Sequence, residues 1–266
     1  MPMNPRLLVP RATFDADAAA YLRAVEAADG QALETPVKRA VDDFFKGCKA
    51  DGIWDAIKAS CLLCGARTLA GALVPLVGTA PTNVANGFVS GDYSRTNGLR
   101  DPGATSLLDT NRSATDDLQD DVHLAAYITA LQSGGGGIVA AFDAGPPVVG
   151  TQLAMTADGK FFTRCRTTND DRTDSLATGF VGMSRNSSSE YSKRNDSSTE
   201  TLSETSVAQS SVNYAVFSNA TSGQPATDAA IAFYSIGSSL GSDPATGLAD
   251  LDTRVTTLIT AIGTAV

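Results

Sequence analysis

The cysteines and the single histidine carry the most reactive side chains of this chain, and their spacing limits the chemistry they could do. Cys61 and Cys64 form a C-x-x-C pair, a spacing used by zinc sites and by dithiol redox centres. A zinc site needs two further ligands, for which the candidates are Cys48, Cys165 and His123. The pair falls in a segment that we expect to be helical, on one face of the helix. We therefore predict small, buried hydrophobic side chains and no metal or cofactor.

His123 would have to be the base of any catalytic triad, because the chain contains one histidine. It stands in residues 120–129, whose alternation of apolar and polar positions predicts a strand. No Gly-x-Ser-x-Gly motif accompanies it. We expect a histidine that is hydrogen-bonded within a sheet.

Four carboxylates bracket the segment just before that strand: Asp116, Asp117, Asp120 and Asp121. Calcium takes several oxygen ligands at once, so this loop is a candidate calcium site. The four positions lack the ordered alternation of an EF-hand. A solvated acidic loop is the alternative, and it is the one that we predict.

Other catalytic patterns are weak. A glycoside hydrolase needs two carboxylates that meet in space, and sequence spacing leaves that arrangement open. Glu190, Glu200 and Glu204 lie in a Ser/Thr-rich region and are expected to be exposed. Gly134–Gly137 lacks the Lys-Ser/Thr and the helix of a phosphate-binding loop, so we predict a flexible turn. We expect no enzymatic activity.

Composition excludes further classes of function. The net charge is −9 and the isoelectric point is about 4.6, which disfavours nucleic-acid binding because phosphate contacts need clustered lysine and arginine. No apolar run approaches the ~20 residues that span a bilayer, so we predict no membrane insertion. The start of the chain, residues 1–6, lacks the pattern of a signal peptide. We therefore expect synthesis in a cytoplasm.

Residues 13–65 have the apolar spacing of helices. Thr13 or Asp15 can open a first helix, which Gly30 would end. A second helix is expected after Thr35 and Pro36, a capping residue followed by a first-turn proline.

A third helix is predicted to begin after Gly52. It would carry Trp54, Ile57 and Cys61 and run towards Gly65. The three helices together would form an α-helical N-terminal segment.

From about residue 66 the apolar runs become short and turn residues separate them, which is typical of a β-sandwich or jelly roll. Ala157-Asp-Gly-Lys160 predicts a hairpin between strands at residues 152–155 and 161–165. The Ser/Thr-rich residues 184–211 are interpreted as solvent-facing strands joined by loops, with a low-complexity linker as the alternative.

The end of the chain has the clearest pattern. Residues 229–240 form an apolar, strand-like run that ends in a glycine turn. Ser242 or Asp243 can then cap a helix that has Pro244 at its first position. The helix would dock on the sandwich through one apolar face: Leu248, Leu251, Val255, Leu258, Ile259 and Ile262.

Several short sequence motifs follow one another along the chain, and their ordered set is more specific than any one of them. A short helix at residues 50–58 precedes a "Gly-Leu … Ser-x-x-Leu-Asp-Thr" segment at 94–111, a His-Leu-Ala-x-Tyr strand at 123–127, a "Gly-Phe-x-Gly-x-Ser-Arg" strand at 178–185 and the C-terminal strand and helix. This series resembles the concanavalin A-like (laminin G-type) jelly rolls of bacteriophage virion and tail proteins.

The resemblance implies a mainly β fold: a concanavalin A-like jelly-roll sandwich at residues 66–266 that includes the C-terminal helix, preceded by a helical attachment segment at residues 1–65. It implies a structural protein of a virion, most simply of the tail (fibre, spike or baseplate-associated), made in the host cytoplasm. Its partners would be other virion proteins and further copies of the same chain. A head decoration protein is a variant of the same interpretation.

A receptor-binding lectin is the alternative function, with a host surface glycan as its partner. The glycan-binding loops of a lectin need exposed aromatic platforms, for which Tyr93 and Tyr191 are the candidates. Trp54 lies on the presumed helical segment, away from those loops.

The apolar stripes of the N-terminal helices exceed what three short helices can bury among themselves, which points to a partner surface. Packing of these stripes on the chain's own sandwich is the alternative. The candidate attachment face consists of Tyr21, Leu22, Val25, Val41, Phe44, Phe45 and Trp54.

Overall fold

The computed structural model describes residues 13–85, 87–143, 149–172, 174–209, 211–219 and 226–266. Its α-helices are α1 (Ala16–Asp29), α2 (Thr35–Ala50), α3 (Leu69–Ala72) and α4 (Pro244–Ala265). Its strands are β1 (Ile57–Leu62), β2 (Pro75–Val77), β3 (Thr82–Ala85), β4 (Tyr93–Ser94), β5 (Gly98–Leu99), β6 (Ser106–Ser113), β7 (Val122–Ala130), β8 (Gly136–Asp143), β9 (Val149–Met155), β10 (Phe161–Thr167), β11 (Gly179–Arg185), β12 (Tyr191–Asn195), β13 (Ser198–Leu202), β14 (Asn213–Val216) and β15 (Ala230–Gly237).

These strands form two antiparallel sheets packed face to face. The nine-stranded sheet has the order β13-β12-β11-β7-β15-β1-β2, with β5 pairing to β15 and β4 to β5. The six-stranded sheet has the order β10-β9-β8-β14-β6-β3. Helices α1, α2 and α4 cover the outer face of the larger sheet, so the molecule has three layers. The predicted fold class, a β-sandwich with N-terminal helices and a closing helix, is confirmed.

Strand β15 shows how the layers share one sheet. Ala232 and Phe233 pack into the core under the helices, whereas Ile231, Tyr234 and Ile236 pack into the core between the sheets. A strand that is buried on both faces needs a continuous apolar run. That run is the feature that the sequence displays most clearly.

The first two helices begin and end close to where their sequence signals place them. The Asp15 carboxylate accepts from the Asp17 amide at 3.0 Å at the start of α1, and Gly30 ends this helix with a φ of 69°, a left-handed conformation that suits glycine. Helix α2 starts at Thr35, with Pro36 in its first turn; the predicted capping role of Thr35 is wrong, because the cap position is Glu34, whose side chain makes no capping hydrogen bond. Residues 1–12 of the predicted helical segment lie outside the described residues.

The predicted third helix is wrong. Residues 54–56 form a single 3-10 turn, and residues 57–62 form strand β1, which pairs with β15. The spacing of Trp54, Ile57 and Cys61 suggested a helix, yet Ala59, Cys61 and Leu63 alternate into the core between the sheets. Periodicity cannot distinguish a helix from a strand over so short an apolar run. The division predicted at residue 65/66 therefore separates β1 from the sheet to which it belongs.

Polar contacts also join the helices to the sandwich. Arg95 and Arg67 both pair with Glu34 next to α2, at 2.7 and 3.0 Å. The two hydrogen bonds from Arg95 lower the pKa of Glu34 to about 2. Arg194 of β12 pairs with Asp252 of α4 at 2.7 Å. The helical layer is thus bonded to the rest of the chain as well as packed on it.

The closing helix is confirmed. Asp243 caps α4 by accepting from the Ala245 amide at 3.2 Å, and Pro244 occupies the first turn. The six apolar residues predicted to face the sandwich are all buried: Leu248, Leu251, Val255, Leu258, Ile259 and Ile262.

The predicted hairpin is confirmed as the β9–β10 turn, in which Gly159 has a φ of 80°. The predicted turn at Gly134–Gly137 is partly wrong, because Gly136 and Gly137 begin strand β8. A Cβ on Gly137 would lie 2.4 Å from the carbonyl carbon of Ser218, so the close approach of that segment requires glycine.

The Ser/Thr-rich region contains strands, as predicted; β13 faces solvent, whereas β12 is more buried than expected. Residues 191–195 and 198–202 pair as β12 and β13. Lys193 of β12 is buried because it forms ion pairs with Asp171, Asp174 and Glu200. Ser210 lies outside the described residues.

Candidate functional site

The predicted attachment face lies inside the molecule. Tyr21, Leu22, Val25, Val41, Phe44 and Phe45 are all less than 10% exposed and belong to the core between the helices and the larger sheet. Phe44 meets Phe233 of β15 edge to face at 6.0 Å. The alternative interpretation, packing on the chain's own sandwich, describes these six residues, and the prediction of an exposed attachment face is corrected.

Trp54 is the seventh residue of that face and remains half-exposed. Its ring packs 4.5 Å from that of Phe45, and the Lys49 ammonium lies 6.0 Å from the ring centroid. It borders a groove of about 500 Å³ between α1 and the edge strand β2. The groove is lined mostly by aliphatic side chains, so it offers few polar groups to orient a ligand.

The two tyrosines predicted as lectin platforms occupy different environments. Tyr191 is buried, with its hydroxyl 3.0 Å from that of Thr163, so it cannot be a platform. Tyr93 is half-buried and donates to the Ala66 carbonyl at 2.6 Å. It borders a polar depression of about 340 Å³ together with Asn97, Arg100 and others.

His123 is fully buried in β7 and hydrogen-bonded within the sheet, as predicted. Its Nδ1 donates to the Ser238 carbonyl at 2.5 Å, since a carbonyl can only accept, and its Nε2 accepts from the Ser235 hydroxyl at 2.8 Å. Burial lowers the pKa of His123 to about 4. The neutral imidazole is thus held in one tautomer, away from the surface.

This burial predicts a pH-dependent stability. In the unfolded chain the histidine pKa is about 6.5, so between pH 6.5 and 4 the unfolded state binds a proton that the native state does not. The free energy of unfolding should fall by about 3 kcal/mol as the pH drops through that window. Urea titrations at closely spaced pH values measure it. The decrease in the free energy of unfolding between pH 6.5 and 5, which lies above the range where carboxylates titrate, should be absent in the His123→Gln variant. An equal slope of the free energy against pH in that variant would assign the decrease to other groups.

The four aspartates of the predicted acidic loop point to separate partners. Asp117 pairs with Arg112 at 2.5 Å, and Asp121 accepts from the Ser239 amide at 2.6 Å. Asp116 caps its own turn, and Asp120 accepts from the Ser206 hydroxyl. No cluster of three or more metal-ligating side chains occurs in the part of the chain that the structure describes.

The four cysteines are buried thiols without disulfides. Cys61 lies on β1 and not on a helix, and Cys64 lies in the turn that follows. Burial raises the pKa of Cys48, Cys61 and Cys64 to about 12 and that of Cys165 to about 11. At neutral pH these side chains are protonated and act as small hydrophobic groups.

A different group of polar and aromatic side chains gathers on the outer face of the six-stranded sheet. We call it the β9–β10 site; its members are Phe142, Gln152, Phe162, Arg164, Arg172 and Asn219. In the hairpin register Arg164 lies opposite Gln152 and Phe162 opposite Ala154, so all four side chains share one face. A depression of about 250 Å³ lies there, bordered by Gln152, Phe162, Arg172 and Asn219 among others.

Two guanidinium groups lie over the aromatic rings of this site. The Arg172 guanidinium is 5.0 Å from the centroid of Phe162, and that of Arg164 is 5.5 Å from Phe162 and 5.8 Å from Phe142. Both rings are half-exposed. The site therefore combines flat apolar surface with fixed hydrogen-bond donors.

Two buried polar atoms of the site have no hydrogen-bond partner among the residues that the structure describes. They are Oε1 of Gln152 and Nε of Arg164, which belong to directly opposed residues of β9 and β10. Gln152 is 4% exposed, and its Nε2 donates a hydrogen bond to Oδ1 of Asn219 at 3.3 Å. Buried polar atoms are almost always paired, and leaving one unpaired costs about 1–3 kcal/mol. The site thus holds an acceptor and a donor, on opposed residues of β9 and β10, that are each open to one more hydrogen bond.

Sequence analysis did not find this site. The hairpin was predicted, but residues 152 and 164 are separated by a turn, and only the register shows that they are opposed. An available signal was the polar and aromatic alternation Phe162-Thr163-Arg164 on a predicted strand, which places Phe162 and Arg164 on one face.

No protein-family model matches this chain, and no curated protein matches its sequence. Solved structures do share its fold. A mutant of the Trypanosoma rangeli sialidase that displays trans-sialidase activity aligns with a TM-score of 0.50 at 9% identity, over 83% of this chain and 39% of the sialidase chain. This chain therefore spans well under half of that enzyme. At such low identity the likeness shows the β-sandwich fold alone.

Two smaller proteins align less well. The CBM40 of the Ruminococcus gnavus IT-sialidase, bound to α2,6-sialyllactose, has a TM-score of 0.40 at 12% identity, over 52% of this chain and 85% of its own. Domain 4 of a GH43 extracellular arabinanase from Geobacillus stearothermophilus, in complex with arabinotriose, has a TM-score of 0.38 at 13% identity, over 66% and 82% of the two chains. Among the described residues, no helix has both the length and the apolar character to cross a membrane.

Proposed function

We propose that this chain is a glycan-binding β-sandwich module and that the β9–β10 site binds the sugar. The observation that carries the proposal is the unpaired, buried Oε1 of Gln152 beside the half-exposed ring of Phe162. A sugar ring has an apolar C–H face that can stack on an aromatic ring, and its hydroxyls donate and accept hydrogen bonds. One hydroxyl would supply the donor that Oε1 of Gln152 lacks.

The competing surfaces fit a sugar less well. The Trp54 groove is mostly aliphatic and offers few polar groups that could bind sugar hydroxyls. The depression at Tyr93 is polar, but Arg100 already donates to the Asp228 carbonyl and Tyr93 to that of Ala66. Two of the solved structures named above hold an oligosaccharide, which is consistent with this proposal without carrying it.

A glycan array followed by calorimetry tests the proposal. Wild type should bind a defined set of glycans, and Phe162→Ala should weaken that binding about tenfold, because stacking on the ring contributes about 1.5 kcal/mol. Phe14→Ala is the matched control: Phe14 is 40% exposed and precedes α1, on the helical layer. A wild type that binds no glycan, or a Phe162→Ala variant that binds like wild type, overturns the proposal.

We also propose that the module binds its sugar without cleaving it and that it is displayed on a bacteriophage particle, as a tail or head component. The ordered sequence phrases of the jelly-roll family support the particle setting. Asp170, an acidic residue beside the site, is engaged by both arginines. Product release from any glycan that binds would contradict the non-catalytic part. Purified particles that lack the chain by mass spectrometry would contradict the virion part.

A further inference from the structure

We propose that the sugar bound at the β9–β10 site carries a carboxylate, such as a uronic or a sialic acid, and that Arg172 binds this group. This inference rests on the proposed function and names the class of glycan. It is argued from the charges of the site and from the composition of the chain around it.

The positive charges of the site exceed the negative ones. Nη2 of Arg164 and Nη2 of Arg172 both pair with one and the same oxygen, Oδ2 of Asp170, at 3.2 and 2.7 Å. Among the described residues, that oxygen is the only carboxylate atom within ion-pair distance of either guanidinium. Two cations therefore share a single anion.

The shortage of negative charge is energetically unfavourable because Arg164 is buried. Its side chain is 9% exposed, and its Nε has no partner in the described part of the chain. Burial lowers the pKa of Arg164, which means that its charge is poorly solvated where it lies. A buried cation is stable only when it is well paired and hydrogen-bonded.

The residues that lie outside the described ranges contain no compensating acid. Positions 1–12, 86, 144–148, 173, 210 and 220–225 include no aspartate and no glutamate. The nearby Asp158 is close to Lys160 as well as to Arg172, so it adds no net negative charge. Within the site itself two guanidinium groups share one carboxylate, and this arrangement favours an anionic ligand.

A carboxylated sugar matches each group of the site. A carboxylate is planar and can take two parallel hydrogen bonds from a guanidinium, and the Arg172 side chain is 55% exposed and within reach of solvent. Phe162, on which Arg172 lies, offers the apolar face for the sugar ring. A neighbouring hydroxyl of the sugar would donate to Oε1 of Gln152, the unpaired acceptor.

Calorimetry with matched pairs of glycans tests this inference. The pairs are oligogalacturonate with its methyl ester, and sialyllactose with lactose, at about 150 mM salt to screen weak surface attraction. The carboxylated member of at least one pair should bind about tenfold tighter or more than its neutral partner, and which pair responds identifies the source of the acid. Arg172→Gln should abolish that preference while leaving the neutral partner's affinity within about twofold.

Arg39→Gln is the control for net charge, because Arg39 is exposed on α2 in the helical layer. An equal loss in both variants would mean a non-specific charge effect and would overturn the inference. If acidic and neutral members bind equally and Phe162→Ala weakens both, the inference fails while the proposed function stands. If no glycan on the array or in either pair binds, both fail.

Discussion

Deletion of residues 244–266, which removes α4, should leave a chain that does not fold. The helix buries six large apolar side chains against α2 and the outer face of the larger sheet: Leu248, Leu251, Val255, Leu258, Ile259 and Ile262. At about 1.5–3 kcal/mol for each buried side chain the loss is about 9–18 kcal/mol, which is comparable with the ~5–15 kcal/mol total stability of a typical domain. The deletion would also uncover part of the outer face of the larger sheet, where Phe180 belongs to the same core.

A shorter deletion provides the control. Residues 263–266 at the end of α4 are exposed or half-exposed, so removing only these four should change the melting temperature little. Circular dichroism melts and size-exclusion chromatography compare the two truncations with the full chain. A monodisperse 1–243 chain that melts like the full chain would show that α4 is not part of the core.

Arg185→Lys should destabilise the protein by about 3–5 kcal/mol although the charge is kept. Arg185 is fully buried and donates to three carbonyl oxygens: Cys165 at 2.9 Å from Nε, Ser187 at 2.8 Å from Nη1 and Glu204 at 2.9 Å from Nη2. Its guanidinium also lies 5.4 Å from the ring centroid of Tyr191. A lysine ammonium is a single point and cannot replace donors that diverge from a planar fork, so carbonyls stay buried and unpaired.

Urea unfolding measures this change as a shift of the midpoint. Arg39→Lys, at an exposed position of α2, makes the same substitution where no such network exists and should stay within about 0.5 kcal/mol of wild type. An Arg185→Lys midpoint equal to that of Arg39→Lys would mean that the three carbonyl contacts contribute little to stability.

The elements that the sequence predicted correctly are those that local interactions determine. Asp15 and Asp243 cap helices through their own side chains, and Gly30 ends α1 because it adopts a left-handed conformation without strain. The β9–β10 hairpin follows from the glycine in its turn. Each of these signals is contained within a few residues and needs no distant partner.

The wrong predictions concern segments whose environment comes from far along the chain. Residues 57–62 are a strand because β15, about 170 residues later, pairs with them. Lys193 is buried because acidic residues from other segments surround it. Taken alone, residues 57–62 fit a helix and the strand that contains Lys193 fits an exposed strand. Contacts with distant parts of the chain overrode both local preferences.

The candidate functional site shows the same division between what local sequence determines and what long-range contacts determine. By itself the sequence determined an acidic, mainly β chain with one histidine and apolar stripes along its helices, and the signals for its capped helices and its hairpin. Only the tertiary structure decided that the stripes pack on the larger sheet and that none of the described helices covers the β9–β10 face. It also set Gln152 opposite Arg164, where Oε1 of the first and Nε of the second have no partner among the described residues. The reason is that burial and strand register depend on which surfaces meet, and one residue's shift in register would turn those side chains to the other face.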